Sequence, residues 1–284
     1  MKLEKIGSLA SIVGLPLAVI VGFIFWWWKK EDVLTFLQSI NISPYIIFYI
    51  IILVLVIWLV FLLVQVYKIK NKKRKIISYF EKYQNSNLGK EYIDKRQDNS
   101  LIKRTEKSIK DFVAKNFTEN TQSDVYYLYL FSLLAGAEDK VWAVSIGTEW
   151  NDSAEEEEFL RLNFAVANRQ VLLERIFVIN KNQINLLKTT EQIYNQIKQS
   201  GKFLKTYVAF REDISNDLIQ QIGEGFLAFD DYAIAVDILD DGKARGEFSI
   251  DEKKLKRYSR RFNSLRHYAK FVDEHILETL LHEQ

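Results

Sequence analysis

The stretch VWAVSIG, residues 141–147, is a continuous apolar run of strand length, and two similar runs follow it, LERIFVI at 173–179 and KTYVAF at 205–210. Helical segments separate these runs. Strands that alternate with helices along a chain pair in parallel through right-handed crossovers. We therefore expect an α/β domain that has a mostly parallel sheet with helices on both faces.

The helix between the first two predicted strands carries an acidic run, Glu155–Glu158. Ser153 and Glu156 have the spacing of a capping box, and acidic residues suit the positive end of the helix dipole. We favour this structural explanation over a metal site. A second crossover helix is predicted over residues 186–200, before Gly201.

The pattern changes after the third predicted strand. The runs FLAF and AIAVDIL are separated only by residues 230–232, which predicts a hairpin at one side of the sheet. A turn-rich stretch, residues 240–246, then leads to a long C-terminal helix that Asp251 opens.

The long C-terminal helix has an apolar stripe with members three and four residues apart. They are Leu255, Tyr258, Phe262, Leu265, Ala269, Val272, Ile276 and Leu280. We expect the sheet to cover this stripe, with a helix-mediated dimer as the alternative. Cations surround its start: Lys253, Lys254, Lys256, Arg257, Arg260 and Arg261. They form either a solvated face or a surface that contacts phosphates or a membrane.

Two uncharged apolar stretches, residues 6–28 and 45–67, predict an N-terminal α-helical transmembrane hairpin. Each exceeds the ~20 residues that cross the hydrocarbon layer as a helix. Gly14, Ala18 and Gly22 lie four apart on the first span, where small residues let another helix approach closely. This stripe either closes the hairpin or joins protomers, and we expect a homo-oligomer through the hairpin.

Basic residues follow the second span directly: Lys68, Lys70, Lys72, Lys73, Arg74 and Lys75. By the positive-inside rule both termini face the cytoplasm, which predicts a multi-pass protein of the inner, cytoplasmic membrane. The same cluster is expected to rest on the anionic headgroups of the lipid bilayer.

We divide the chain into three parts: the hairpin at 1–67, a basic juxtamembrane and helical connector at 68–123, and the cytosolic α/β domain at 124–284. In the connector, the second span continues as a helix to Asn85, a loop follows, and another helix is predicted over residues 101–117. The apolar run at 125–137 is too short to span a bilayer and predicts a core helix.

Composition excludes several classes of function. A formal net charge of +2 gives no reason to expect DNA as a partner. The chain has no cysteine, which excludes disulfides, cysteine zinc sites and thiol catalysis. The histidines, His267, His275 and His282, lie on the last predicted helix without an obvious carboxylate partner set, so we expect no metal and no cofactor.

The order of VWAVSIG, NFAVANR, RIFVI, FLAFDDYAIAVDI and a long terminal helix resembles a half-unit of the phospholipase D superfamily, in particular its non-catalytic, sensor-like members. That family's signature is His, Lys two residues on, and Asp five further. If Asp230 is matched to the aspartate, the other two positions hold Gly223 and Gly225. The resemblance therefore implies a fold that holds an anionic or phosphate-bearing ligand, with no catalytic residues.

A ligand site is expected beyond the carboxyl ends of the parallel strands. The candidate ligand-binding residues are Ser145, Thr148, Trp150, Lys181, Arg211 and the matched Asp230. Arg211 can pair with phosphate or carboxylate, and Trp150 can stack on a base. The structural alternative is that Trp150 packs locally and that Arg211 meets Glu212 or solvent.

These features lead to three hypotheses. The favoured one is a membrane-anchored cytoplasmic sensor or effector whose α/β domain binds a signal, such as an anionic nucleotide, and couples it to the hairpin. This architecture is similar to that of effectors in bacterial anti-phage defence. The alternatives are a membrane-bound phospholipase D-like phosphodiesterase and a non-enzymatic membrane scaffold that docks a protein partner. We expect no enzyme activity.

Overall fold

The computed structural model describes residues 44–96, 100–115, 117–121, 123–147, 154–222, 225–230, 233–240 and 243–282. Two compact units make up the chain, Met1–Lys68 and Ile69–Gln284. The first predicted span, with Gly14, Ala18 and Gly22, lies outside the described residues.

Helix α1, Pro44–Asn85, contains the second predicted span and continues to Asn85, as the sequence predicted. In the first unit its large apolar side chains are exposed, for example Leu53 at 59% and Ile57 at 60%. By length and composition this helix can cross a membrane. The described residues contain one helix of this kind. The predicted hairpin of two transmembrane helices is therefore not shown.

The second unit continues with helices and strands that alternate along much of the chain. Helices α2–α10 are Asn87–Arg96, Leu101–Lys115, Ser123–Gly136, Ala154–Asn168, Ile184–Thr189, Glu191–Lys198, Asn216–Ile222, Glu252–Tyr268 and Glu274–His282. Strands β1–β8 are Phe117–Thr121, Lys140–Ile146, Leu172–Ile179, Leu204–Phe210, Phe226–Phe229, Ala233–Asp240, Lys243–Ser249 and Lys270–Phe271. Single turns of 3₁₀ helix, Lys181–Gln183 and Arg211–Asp213, follow β3 and β4.

The strands of the described residues form one mixed sheet in the order β1-β7-β6-β5-β2-β3-β4-β8. Strands β2, β3 and β4 pair in parallel, as their crossover helices predicted. The other pairs are antiparallel, so the expectation of a mostly parallel sheet is wrong. The reason is that the chain leaves β4, returns through α8 to the far side of β2, and then folds back on itself in hairpins.

The predicted hairpin is confirmed, since β5 pairs with β6 from Phe229 opposite Ala233. The turn-rich stretch after it is instead the start of another strand. Strand β7 pairs with β6 from Lys243 opposite Asp240. Its sequence, KARGEFS, has little apolar alternation, and this is why the sequence reads as a turn.

Helices cover both faces of the sheet, as expected. Side chains alternate between the faces along each strand. One face packs against α1, α3, α4 and α5 near β2, and against α6, α7 and α10 near β4. The other face packs against α8 and α9, where Leu255, Tyr258, Phe262 and Leu265 are buried. The sheet therefore covers the first half of the predicted stripe.

The polar continuation of α1 belongs to this core. Ile76, Tyr79 and Tyr83 are at most 2% exposed and pack in the same cluster as α3, α4 and α5. The ring of Tyr79 lies so close to Gly136 that a Cβ atom there would overlap it. The helix that is apolar and exposed in the first unit is thus a core helix in the second.

The predicted long C-terminal helix is wrong, because it divides into α9 and α10. Between them, Phe271 of β8 pairs with Tyr207 of β4, and Val272 N donates to Thr206 O at 2.9 Å. Asp273 then caps α10 by accepting from Ile276 N at 2.9 Å. The apolar spacing continues through this break, so only Asp273, a favoured N-cap residue, indicates it.

Shorter interruptions also differ from the sequence pattern. The loop predicted at residues 85–89 is reduced to Ser86, whose hydroxyl accepts from Gly89 N at 3.0 Å and caps α2. The crossover helix predicted over 186–200 is divided at Thr190 into α6 and α7. Both differences leave the apolar face of the segment inside the core.

The acidic run at the start of α5 includes one buried carboxylate. Glu158 is 3% exposed. Its Oε1 accepts a hydrogen bond from Tyr83 Oη at 2.7 Å, and its Oε2 lies 3.4 Å from Arg161 Nη1. Burial raises the pKa of this carboxyl, although Tyr83 and Arg161 both act in the opposite direction. The proposed cap residue Ser153 lies outside the described residues.

We expect Gly246→Ala to reduce the free energy of unfolding by about 2 kcal/mol, because a Cβ atom there overlaps the buried ring of Tyr126. Gly201→Ala is the matched control, since its nearest neighbouring atom would be Gln199 O at 4.0 Å. Thermal unfolding of both variants measures the difference. Equal stability of the two would contradict the packing of α4 on β7.

The buried carboxyl of Glu158 predicts a pH-dependent stability. Because its folded pKa is raised, its contribution is fully present below the unfolded pKa and is lost as pH rises through the folded pKa. Glu158→Gln keeps an acceptor for Tyr83 and cannot ionise. We expect the wild-type Tm to fall relative to that of E158Q as pH rises from about 4 to about 7.

Glu91→Gln is the control of opposite sign. The hydrogen bond from Arg161 lowers the pKa of Glu91 to about 2, so its contribution is present above the unfolded pKa and is lost as pH falls. The Tm of the wild type relative to E91Q should therefore decrease toward acidic pH. The same pH trend in both variants would contradict the assignment of Glu158 as the buried group.

Candidate functional site

Strands β2 and β3 bring a serine and a buried arginine together. Arg175 on β3 is 1% exposed, and its Nη1 donates to Ser145 Oγ on β2 at 3.2 Å. Ser145 lies opposite Phe177 in the register, two residues beyond Arg175 toward the carboxyl end of β3. The arginine side chain therefore extends toward the end of the sheet where ligands bind in open α/β folds.

Aromatic rings enclose the guanidinium of Arg175. Its Cζ lies 4.6 Å from the ring centroid of Phe159 on α5 and 5.9 Å from that of Phe177 on β3. A guanidinium stays protonated in proteins, so burial does not remove its charge. Cation–π contacts and the hydrogen bond to Ser145 offset part of the desolvation cost. The sheet thus holds a permanent positive charge beneath α5.

Further buried polar groups continue from Arg175 across the same face. Thr206 on β4 lies opposite Arg175 in the register. Gln196 Nε2 on α7 donates to Thr206 Oγ1 at 3.4 Å, and Asn163 Nδ2 on α5 donates to Gln196 Oε1 at 3.1 Å. We call Ser145, Arg175, Thr206, Gln196 and Asn163 the polar layer.

One acceptor in the polar layer is left over. Asn163 is 0% exposed, and its Oδ1 has no hydrogen-bond partner in the part of the chain that the structure describes. Buried polar atoms are normally paired, and an unpaired one costs about 1–3 kcal/mol. The layer therefore has capacity for a further donor, such as a ligand hydroxyl or amine or a water molecule.

Strand β2 ends in a turn at Gly147. Gly147 has φ of 79°, a left-handed conformation that suits glycine, and its N donates to Val178 O at 2.8 Å. Thr148 and Trp150 follow this turn and lie outside the described residues. Their place in the site stays a prediction.

The turns after β3 and β4 are joined by Lys181. Its backbone N–H donates to both carboxylate oxygens of Glu212, at 3.0 and 3.1 Å, and its Nζ donates to Asp213 Oδ1 at 2.7 Å. The hydrogen bond to Asp213 raises the pKa of Lys181. This lysine is therefore committed to an internal ion pair, which reduces its availability to a ligand.

Arg211 lies at the same edge of the sheet, in the single turn Arg211–Asp213. It is exposed and has no ion pair among the residues that the structure describes. The alternative that Arg211 pairs with Glu212 is not observed, since the carboxylate of Glu212 accepts from Lys181. Arg211 is the predicted residue at this edge whose charge is free to meet an anion.

Asp230 lies at the other end of the sheet. It follows β5, whose last residue, Phe229, pairs with Val141 at the start of β2. Its carboxylate accepts hydrogen bonds from the backbone amides of Glu138, Asp139 and Lys140, each at 2.8 Å. Asp230 therefore fixes the turn before β2 and does not join Ser145 and Arg211.

The match to a phosphodiesterase motif has no supporting chemistry around Asp230. Gly225 is described and has no side chain, whereas Gly223 lies outside the described residues. The carboxylate of Asp230 is already surrounded by amide donors, which is a structural arrangement. Within the described residues, no group of three or more histidines, aspartates or glutamates could hold a metal ion.

Two of the six predicted membrane-surface cations pair with carboxylates inside the second unit, to which they belong. Lys75 Nζ donates to Glu138 Oε2 at 2.8 Å, and Lys72 Nζ lies 3.7 Å from Glu252 Oε1. The hydrogen bond with Glu138 raises the pKa of Lys75, and it lowers that of Glu138. Lys68, Lys70 and Arg74 are exposed, and Lys73 is partly buried.

Arg175 is not in the predicted ligand-binding set, because a cation near the start of a strand often has only a surface role. Its signal is the alternation Leu173, Arg175, Phe177, which places a charge on an otherwise apolar face. Arg169, which follows α5, has a structural role: its Nη1 donates to Ala135 O at 2.6 Å near the end of α4.

We expect Asp230→Ala to lower the free energy of unfolding by about 2–3 kcal/mol, because three amides lose a charged acceptor and because φ at this position is 47°. Asp230→Asn keeps an acceptor oxygen and tolerates this backbone conformation, so its loss should be smaller. Chemical denaturation measures both. A D230A variant as stable as the wild type would return Asp230 to the ligand-binding set.

No family model matches the sequence, and no curated protein sequence matches it. Among solved structures, the archaeal chromatin protein TrmBL2 is similar with a TM-score of 0.38 and 13% identity over 64% of this chain and 64% of that protein, less than two thirds of its length. The phospholipase D family member Nuc from Salmonella typhimurium gives 0.37 and 6% identity over 52% of this chain and 90% of Nuc.

Phosphatidylserine synthase from Haemophilus influenzae Rd KW20 gives a TM-score of 0.36 and 11% identity over 55% of this chain and 38% of that enzyme. The α/β domain of this chain thus has a distant structural similarity to phospholipase D family folds.

Proposed function

We propose that this protein is a membrane-anchored cytoplasmic sensor or effector whose α/β domain binds an anionic signal, with a nucleotide as the favoured class, and couples it to N-terminal membrane helices. The proposal includes a multi-pass topology in the cytoplasmic membrane, assembly through the hairpin and a role in bacterial anti-phage defence. The observation that carries it is the buried charge of Arg175 near the carboxyl ends of β2 and β3.

The buried charge supports an anionic ligand for an energetic reason. Apolar side chains of similar volume often stabilise a core as well as a buried ionic group or better. A buried guanidinium is therefore weak evidence for a stabilising role and better evidence for a functional role. At the strand ends, the Ser145 hydroxyl and the exposed Arg211 provide donors of the kind that bind phosphate.

The absence of hydrolysis is part of the proposal. The environment of Asp230 and the missing side chain of Gly225 support a binding function over the phosphodiesterase alternative. The scaffold alternative predicts that the polar layer is structural and that small anions do not bind.

Contacts within the second unit support coupling between ligand and helix α1. Phe159 on α5 contacts the Arg175 guanidinium, and the adjacent Glu158 accepts the hydrogen bond from Tyr83 on α1. A ligand that shifts α5 by displacing Phe159 would act directly on the partner of Tyr83. Helix α1 continues from Tyr83 back into the apolar stretch, which gives the signal a covalent route.

The test is thermal unfolding of the full-length protein in lipid nanodiscs with nucleoside triphosphates and cyclic oligonucleotides, and with uncharged nucleosides as controls. A ligand that binds only the folded state at 100 times its Kd adds about 2.7 kcal/mol of stability. We expect at least one nucleotide, and no nucleoside, to raise the Tm.

Substitutions assign the binding to the strand ends. Ser145→Ala and Arg211→Ala each remove a donor to the anion, so each should weaken the Kd by about 10-fold or more. Lys188→Ala is the control, because Lys188 is exposed on α6 and pairs with Glu278. No shift with any nucleotide, or a shift unchanged in both S145A and R211A, would favour the protein-docking scaffold.

A further inference from the structure

The solvent side of α9 is a row of cations. Lys253, Lys256, Arg257 and Arg260 are exposed and follow one another at spacings of three, one and three residues; we call them the basic row. They lie on the side opposite to Leu255, Tyr258, Phe262 and Leu265, which are buried against the sheet. The 3.6-residue period of the helix therefore segregates α9 into an apolar face and a cationic face.

Packing does not account for the basic row. Other cations of α9 have contacts within the domain: Lys254 pairs with Glu247, Arg261 lies 4.7 Å from the ring centroid of Tyr258, and Arg266 lies 3.5 Å from that of Tyr207. No member of the basic row has an ion pair among the described residues. Four cations at this spacing repel one another unless an external anion neutralises them.

A second basic segment meets α9 at its first turn. Lys72 Nζ on α1 lies 3.7 Å from Glu252 Oε1, the residue that precedes the basic row. Lys70 and Arg74, on the same part of α1, are exposed. Both segments belong to the second unit, Ile69–Gln284. An ion pair therefore links the start of α9 to the part of α1 that directly follows the apolar stretch.

We infer that the basic row binds the phosphate groups of an anionic lipid bilayer. The occupant follows from the chain itself, because Lys70 comes three residues after Tyr67, the end of the exposed apolar stretch. A covalently attached membrane segment keeps the lipid surface at high effective concentration. A free nucleic acid has no such advantage.

This contact would set the orientation of the domain and goes beyond the proposed ligand function. Helix α9 covers one face of the sheet, whereas the polar layer lies under α5 and α7 on the other face. Docking through α9 leaves the polar-layer face directed away from the lipid. The candidate ligand site then stays open to the cytoplasm.

The absence of cysteine allows a test on the full chain. Asn263→Cys places a fluorophore on the exposed side of α9, and Asn185→Cys places one on α6, on the other face. Nanodiscs contain a headgroup-attached quencher and either phosphatidylcholine alone or 30% phosphatidylglycerol. We expect anionic lipid to increase quenching at residue 263 only, and about 0.5 M salt to reverse it.

A quadruple variant, Lys253→Gln, Lys256→Gln, Arg257→Gln and Arg260→Gln, should abolish the lipid-dependent quenching, since each cation near a membrane surface contributes roughly a fivefold increase in binding. The control, Lys103→Gln, Lys107→Gln and Lys110→Gln, removes exposed charges from α3 and should leave the quenching unchanged.

Equal quenching in neutral and anionic lipid, or quenching unaffected by the quadruple variant, would overturn the inference. Binding of a 20-nucleotide single strand that the quadruple variant loses, without lipid-dependent quenching, would assign the surface to nucleic acid instead. Ligand-induced Tm shifts are measured on the same variants, so a failure of membrane docking is separable from a failure of the proposed sensor function.

Discussion

The hydrogen bond from Tyr83 Oη to Glu158 Oε1, 2.7 Å long and buried, joins α1 to α5. Helix α1 carries the exposed apolar stretch at one end and core residues at the other, while α5 covers the buried guanidinium of Arg175. Tyr83 and Arg161 offset part of the cost of burying the Glu158 carboxylate. Loss of either partner would raise the pKa of Glu158 further, and loss of Tyr83 would remove this hydrogen bond between α5 and residues 69–85 of α1.

The sequence predicted the positions of the apolar strands, but it did not predict which of them pair in an antiparallel direction. Strands β2, β3 and β4 and the β5–β6 hairpin could be predicted, because continuous apolar runs and a short connection have few alternatives. The antiparallel pairing of β5 with β2 could not be predicted, because an apolar run does not indicate in which direction its strand pairs. Strand β7 was missed because its sequence, KARGEFS, is mostly polar and has one large apolar residue, Phe248.

The candidate site divides along the same lines. The rule that ligands bind at carboxyl ends of parallel strands placed Ser145, Lys181 and Arg211 at one edge, because each lies within two residues of the end of a correctly predicted strand. Asp230 entered the set by spacing within a motif, and spacing does not reveal that β5 runs opposite to β2. Arg175 could have been identified in a different way, because it is a charged residue on a strand face that is otherwise occupied by buried apolar residues.

The break between α9 and α10 protects the edge of the sheet. Strand β4, LKTYVAF, is apolar and almost wholly buried, and an uncovered strand of this kind offers its free backbone groups to other chains. Lys270 and Phe271 pair with part of that edge, and Val272 N donates to Thr206 O. A charged and very short strand in this position is a poor template for further strand addition. The interruption of the C-terminal helix by β8 thus shields β4 from edge-to-edge aggregation.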